Sequence, residues 1–128
     1  MVRDVKRSDA PRYIRQAEEF IASAQDNLEK ERFNAAGFEA TQSMINANDA
    51  LTSHFLGKRA SADHREAIRL HIDVVKVLND SDYRKSLKDA LEMRSEFGYL
   101  GKQMVEKDAR RLIVSSIKFI AWVKNKIS

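Results

Sequence analysis

The chain has 128 residues, which suits one domain around one hydrophobic core. Hydrophobic residues make up 43% and charged residues 33%, the net charge is +4, and 4 Gly and 1 Pro leave little to interrupt long helices. With 0 Cys the sequence excludes disulfides, thiolate zinc sites and a cysteine nucleophile.

Residues 1–10 read as a flexible N-terminal arm and residues 11–128 as a single helical domain. The arm is charged and carries no secretory signal. Pro11 suits a first helical turn, with Ser8 or Asp9 as cap. Helix 1 is expected to run to about Arg32, with Ile14, Ala17, Ile21, Ala24 and Leu28 as its apolar stripe.

Helix 2 is expected from near Asn34 to near Leu56, with Ala36, Ala40, Met44, Ala47, Leu51 and Phe55 on one face and Gly57 as its stop. Gln42, Asn46, Asp49 and Ser53 form a polar stripe on the opposite face. Asp63 and Glu66 make a capping-box-like start for helix 3, whose stripe is Ile68, Ile72, Val75 and Leu78, and which breaks at Asn79 to Ser81.

Helix 4 starts near Asp82, carries Leu87, Ala90 and Leu91, and is bent or ended by Gly98 and Gly101. Helix 5 runs from about Glu106 to Lys126 with Ala109, Leu112, Ile113, Ser116, Ile120, Val123 and Ile127 on a wide apolar arc. No strand is expected. The fold class is all-α, an antiparallel four-to-five-helix up-and-down bundle.

The longest apolar runs, such as 120–123, fall far short of the roughly 20 residues of a membrane span, so no membrane partner is expected and the location read is cytoplasmic. The charge is uneven: from Lys102 onward Lys and Arg outnumber Glu106 and Asp108, so helix 5 is the basic element. A basic element attracts polyanions.

The segment Arg94-Ser95-Glu96-Phe97-Gly98-Tyr99 joins helix 4 to helix 5. An arginine presents a planar fork of donors suited to phosphate, and a tyrosine following a glycine adds a ring at the bend. Other notable segments are Glu31-Arg32-Phe33-Asn34-Ala35-Ala36, Asn46-Ala47-Asn48-Asp49-Ala50-Leu51 and Asp63-His64-Arg65.

In this order the segments resemble the HEPN domain superfamily, over roughly Tyr13 to Lys124, and most closely its small stand-alone prokaryotic members. The resemblance implies a helical bundle, usually a homodimer. Many members act on RNA without metal through an arginine and a histidine set a few residues apart in a cleft between protomers. Some are toxins paired with a nucleotidyltransferase-type partner protein, and others only bind.

Arg94 matches the motif arginine. The positions at the family's spacing, Tyr99, Leu100 and Gly101, hold no histidine. Cleavage needs a base and an acid near neutral pH, work that histidine does well and tyrosine poorly. Arg65 and His71 satisfy the spacing formally, but inside helix 3.

The expected site residues are Arg94, Tyr99 and His64 for any catalysis, and Arg94, Tyr99, Asn46, Asp49, Arg111, Lys118 and Trp122 for ligand binding. His64 substitutes for the absent motif histidine if it reaches Arg94. Asp49 orients Arg94 or His64 if its face meets helix 4. Trp122, grouped on the helix with Lys107, Arg111, Ser115 and Lys118, either stacks a base or packs against protein.

No metal site is expected from His54, His64 and His71, and no cofactor. The leading reading is an RNA- or nucleotide-binding protein without standard metal-free ribonuclease activity. The rivals are a toxin-type endoribonuclease using His64 and a pure protein-protein interaction module.

Overall fold

A computed structural model describes residues 1–60, 63–80, 83–99 and 101–128, with Gly98 and Tyr99 described by backbone alone. Five helices carry the fold: α1 (Ala10–Glu29), α2 (Phe33–Leu56), α3 (His64–Leu78), α4 (Arg84–Arg94) and α5 (Glu106–Ile127). No helix among the described residues is long and apolar enough to cross a membrane.

Local chemistry sets most of the ends. Pro11 lies in the first turn of α1, where its missing N–H costs no hydrogen bond. Asp9, placed as a cap, makes no capping bond to α1; its carboxylate accepts instead from the Lys6 N–H at 3.3 Å. Glu31, at φ 59°, turns the chain from α1 into α2. Gly57 ends α2 in the left-handed region at φ 64°, which costs a glycine nothing. Asp63 caps α3, its side chain accepting from Glu66 N–H at 3.2 Å. The expected start of α4 at Asp82 and the break at Ser81 lie outside the described residues, as does Leu100.

The arm expected to be loose is tied down. Its Arg3–Asp4 strand, β1, pairs antiparallel with β2 (Lys58–Arg59), Arg3 opposite Arg59 and Asp4 opposite Lys58. Val5 N–H extends the contact to the Gly57 carbonyl at 2.9 Å. Two-residue strands are too short for any alternation to show in a sequence, which is why none was expected.

The larger departure concerns α2. It packs against α1, α3, α4 and α5 and is the central helix of the bundle. Asn46, Asp49 and Ser53 of the polar stripe are buried, together with Thr41, Ser43, Asn48 and Thr52. That stripe is therefore unavailable as a face for a second protomer. Ala36, Ala40, Ala47 and Ala50 let neighbouring helices come close, and short polar groups are satisfied locally. Ser43 donates to the Ala40 carbonyl at 2.7 Å, and Ser116 of α5 reaches the same carbonyl at 2.7 Å.

Helix α3 is also rotated from expectation. Its buried residues are Ala67, Leu70, His71 and Val74, while Ile68 and Leu78 pack only partly. The cause is polar. His71 is fully buried, with Nδ1 3.0 Å from the Asn48 side-chain oxygen of α2 and Nε2 accepting from the Tyr83 N–H at 3.1 Å. The Asn48 amide in turn donates to the Ala67 carbonyl at 3.3 Å. This network ties α2, α3 and the start of α4, and it removes His71 from any surface pairing with Arg65.

Candidate functional site

Three helices meet where α4 ends. Their side chains Ile45, Asn48 and Asp49 of α2, Asp63, His64 and Ala67 at the start of α3, and Leu87, Leu91 and Arg94 of α4 enclose a cavity of about 10 Å³. That is room for about one water molecule. Arg94 sits at the last turn of α4, before the chain widens into a single π turn over Ser95–Tyr99. Such turns lie often at functional sites. Arg94 is half-buried, and its guanidinium lies over the Phe38 ring of α2, 5.7 Å from the centroid.

Asp49 lies on the same wall but serves neither Arg94 nor His64 directly. Its Oδ2 accepts from Arg59 Nε at 2.9 Å, and Arg59 lies in turn over the Tyr13 ring at 5.0 Å. Only 2% of Asp49 is exposed. Burial pushes its carboxyl up to about 6, against the opposing pull of Arg59. At Asp63 the Glu66 backbone hydrogen bond holds the carboxyl below its ordinary range.

His64 also faces outward, into a groove of about 450 Å³ lined with Asp89, Glu92, Met93, Ser95, Glu96 and Arg111. Arg111 donates to the Met93 sulfur at 3.2 Å and lines a second groove of about 440 Å³ with Ser86, Arg110, Val114, Ser115 and Lys118. Glu96 is paired with Lys102 at 3.4 Å.

The structure thus brings Arg94, His64 and Asp49 to one cavity and places Arg111 and Lys118 along adjoining grooves. The Tyr99 side chain lies outside what is described. Asn46 is buried and accepts from the Gln42 amide at 3.2 Å, away from the cavity lining.

Trp122 does not stand among the cations of α5. It packs with His71, Tyr83 and Phe119, their ring centroids 5.7, 5.0 and 6.0 Å from its own. Its indole N–H is buried without a hydrogen-bond partner among the described residues. The half-buried ring thus stacks on protein, the second of the two roles its sequence position offered. Phe38 and Arg59 were missed in the sequence. Phe38 falls outside the apolar stripe of α2, and Arg59 reaches Asp49 only because the chain turns back at Gly57 into β2. Among the described residues no group of side chains has the make-up of a metal site.

A family model, the HEPN domain, matches residues 10–126. The chain belongs to the HEPN family, and an all-α bundle is the fold of that family. Membership supports a role connected with nucleotides or RNA, or a toxin-like role, at the level of the family. No match is found among curated proteins.

Proposed function

We propose that this HEPN domain binds RNA or a nucleotide, with Arg94 as the phosphate-binding group and Tyr99 as a base or ribose contact. The observation that carries the reading is the wall shared by Arg94, His64 and Asp49, residues from three helices and distant in sequence. A guanidinium fixed beside a crevice offers a fork of charged donors to phosphate.

The cavity itself is too small for a nucleotide, so the ligand lies across its mouth, with Arg94 on the cavity side and Arg111 on the side of the adjoining groove, His64 lining both. Asp89, Glu92 and Glu96 line that groove as well, and phosphate binding depends on the guanidiniums outweighing them.

A second reading is metal-independent RNA cleavage, favoured by the position of His64. It shares the cavity with Arg94, in the role of the histidine that the motif lacks. His64 then takes the 2′-hydroxyl proton as that oxygen attacks phosphorus, Arg94 stabilises the charge developing on the phosphoryl oxygens, and the P–O5′ bond breaks as the 5′-oxygen takes a proton from water or from the His64 imidazolium.

A homodimer belongs to the proposal. Val114 and Ile117 stand one helical turn apart on α5, 52% and 42% exposed. Apolar side chains grouped on a surface favour a protein partner.

The test is one titration read twice. Labelled single-stranded RNA is mixed with the purified chain in chelator at low salt, and binding and strand integrity are both followed. The expected result is intact RNA bound by the wild type, with affinity about tenfold weaker in Arg94→Ala. Cleavage lost in both Arg94→Ala and His64→Ala selects the second reading. Neither binding nor cleavage rejects both and leaves an interaction module.

A further inference from the structure

Six cations from two separate stretches of the sequence are gathered at one end of the bundle. Arg3, Lys6, Arg7 and Arg12 come from the N-terminal segment, and Lys58 and Arg59 follow α2. The ladder sets Arg3 directly opposite Arg59. Arg7 Nη1 donates to the His54 and Phe55 carbonyls, at 3.0 Å each, beside the same turn. Arg12 and Arg59 both lie over the Tyr13 ring, at 5.1 and 5.0 Å.

Acids neutralise only part of this charge. Lys58 pairs with Asp4 at 2.8 Å, Arg12 with Asp9 at 3.7 Å, and Arg59 with the buried Asp49 at 2.9 Å. Arg7 is held by carbonyls, with no ion pair among the described residues. Arg3 and Lys6 have no ion pair among the described residues. Like charges directly opposed across strands work against pairing, yet the Arg3–Arg59 pair is kept.

We propose that this patch is a binding surface for the phosphates of an RNA strand that continues to the Arg94 crevice. The inference rests on the RNA reading of that crevice and extends it to a second, distant contact region. Continuity is the argument. On the surface the Met1 ammonium, at the head of the arm, pairs with the part-exposed Asp63 at 3.5 Å, and Asp63 lines the cavity with His64 and Arg94. A strand several nucleotides long reaches both places, whereas a flat lipid surface or a mononucleotide does not.

The test neutralises three exposed cations at once, Arg3→Gln, Lys6→Gln and Lys58→Gln, with Lys76→Gln of α3 as a control outside the patch. Affinity for a labelled single-stranded oligonucleotide is measured across a salt series, and melting curves check that the variants fold. Each lost phosphate contact lowers the slope of log affinity against log salt by about 0.7, so the triple variant loses about 2, and roughly tenfold in affinity at low salt. The control leaves both unchanged. Lys6→Gln alone, at an exposed ammonium with no ion pair among the described residues, loses about 0.7 and answers the question if the triple variant melts early.

Wild-type binding with an unchanged slope in the variants overturns the patch and leaves the Arg94 reading standing. No wild-type binding at low salt overturns both. Binding to phosphatidylserine vesicles, lost in the triple variant while RNA is ignored, overturns the proposal in favour of a lipid surface.

Discussion

Asp49 concentrates the electrostatics of the fold in one side chain. Its folded pKa of about 6 lies above the ordinary 3.8, so the native state binds that proton more tightly than the unfolded chain. The stabilisation from the proton is complete below about 3.8 and is lost as pH rises through about 6. Asp49→Asn keeps the neutral shape at every pH. The stability of the wild type minus that of the variant is therefore expected to fall by about 2 kcal/mol from pH 4 to pH 7. Asp4 and Asp63, whose carboxyls are held low, titrate in both proteins and cancel in the difference. Urea denaturation at a series of pH values measures the gap, and a gap that stays constant contradicts the account.

At the scale of elements, the joint between α2, α3 and α4 depends on His71. Removing its ring leaves the buried Asn48 oxygen and the part-buried Tyr83 N–H without their partner and opens a hole beside Phe119 and Trp122. His71→Ala is expected to cost about 3 kcal/mol or more in equilibrium unfolding. A loss well under 1 kcal/mol would mean that the network adds little. Gly57→Ala tests the end of α2, where an alanine at positive φ costs about 1 kcal/mol. An unchanged denaturation midpoint would show that the turn relaxes.

These elements also show what the sequence carries and what it does not. The capping aspartate at 63, the glycine at 57 and the proline at 11 act on their immediate neighbours, so their effects were legible. The same holds for the α5 arc, from which only Phe119 was missing. The surroundings of α2 were not legible. Alanines, serines and asparagines give a weak two-faced pattern whether a helix is half-wet or enclosed, and only the count of neighbouring helices decides. The buried face of α3 was misread because its apolar residues outweighed a histidine whose partners, Asn48 and Tyr83, lie in other helices. Arg94 and His64 were legible as residue types at helix ends. Their shared cavity, the diversion of Asp49 to Arg59 and the packing of Trp122 on His71, Tyr83 and Phe119 follow from contacts between segments, which no local spacing encodes.

For the molecule as a whole, the proposed dimer makes the sharpest claim. If α5 forms the contact, sedimentation gives twice the mass of one chain, and Ile117→Asp shifts the equilibrium to monomer without lowering helix content. A wild-type monomer at tens of micromolar would remove the dimer from the functional reading.

The enclosure of α2 by four other helices has a consequence for how the protein opens. No outer helix can leave without uncovering part of α2, while α2 cannot fray from its middle before its neighbours depart. The amide protons of residues 40–51 should therefore trade with deuterium last, at the rate set by complete unfolding, while those of α4 and its π turn trade sooner.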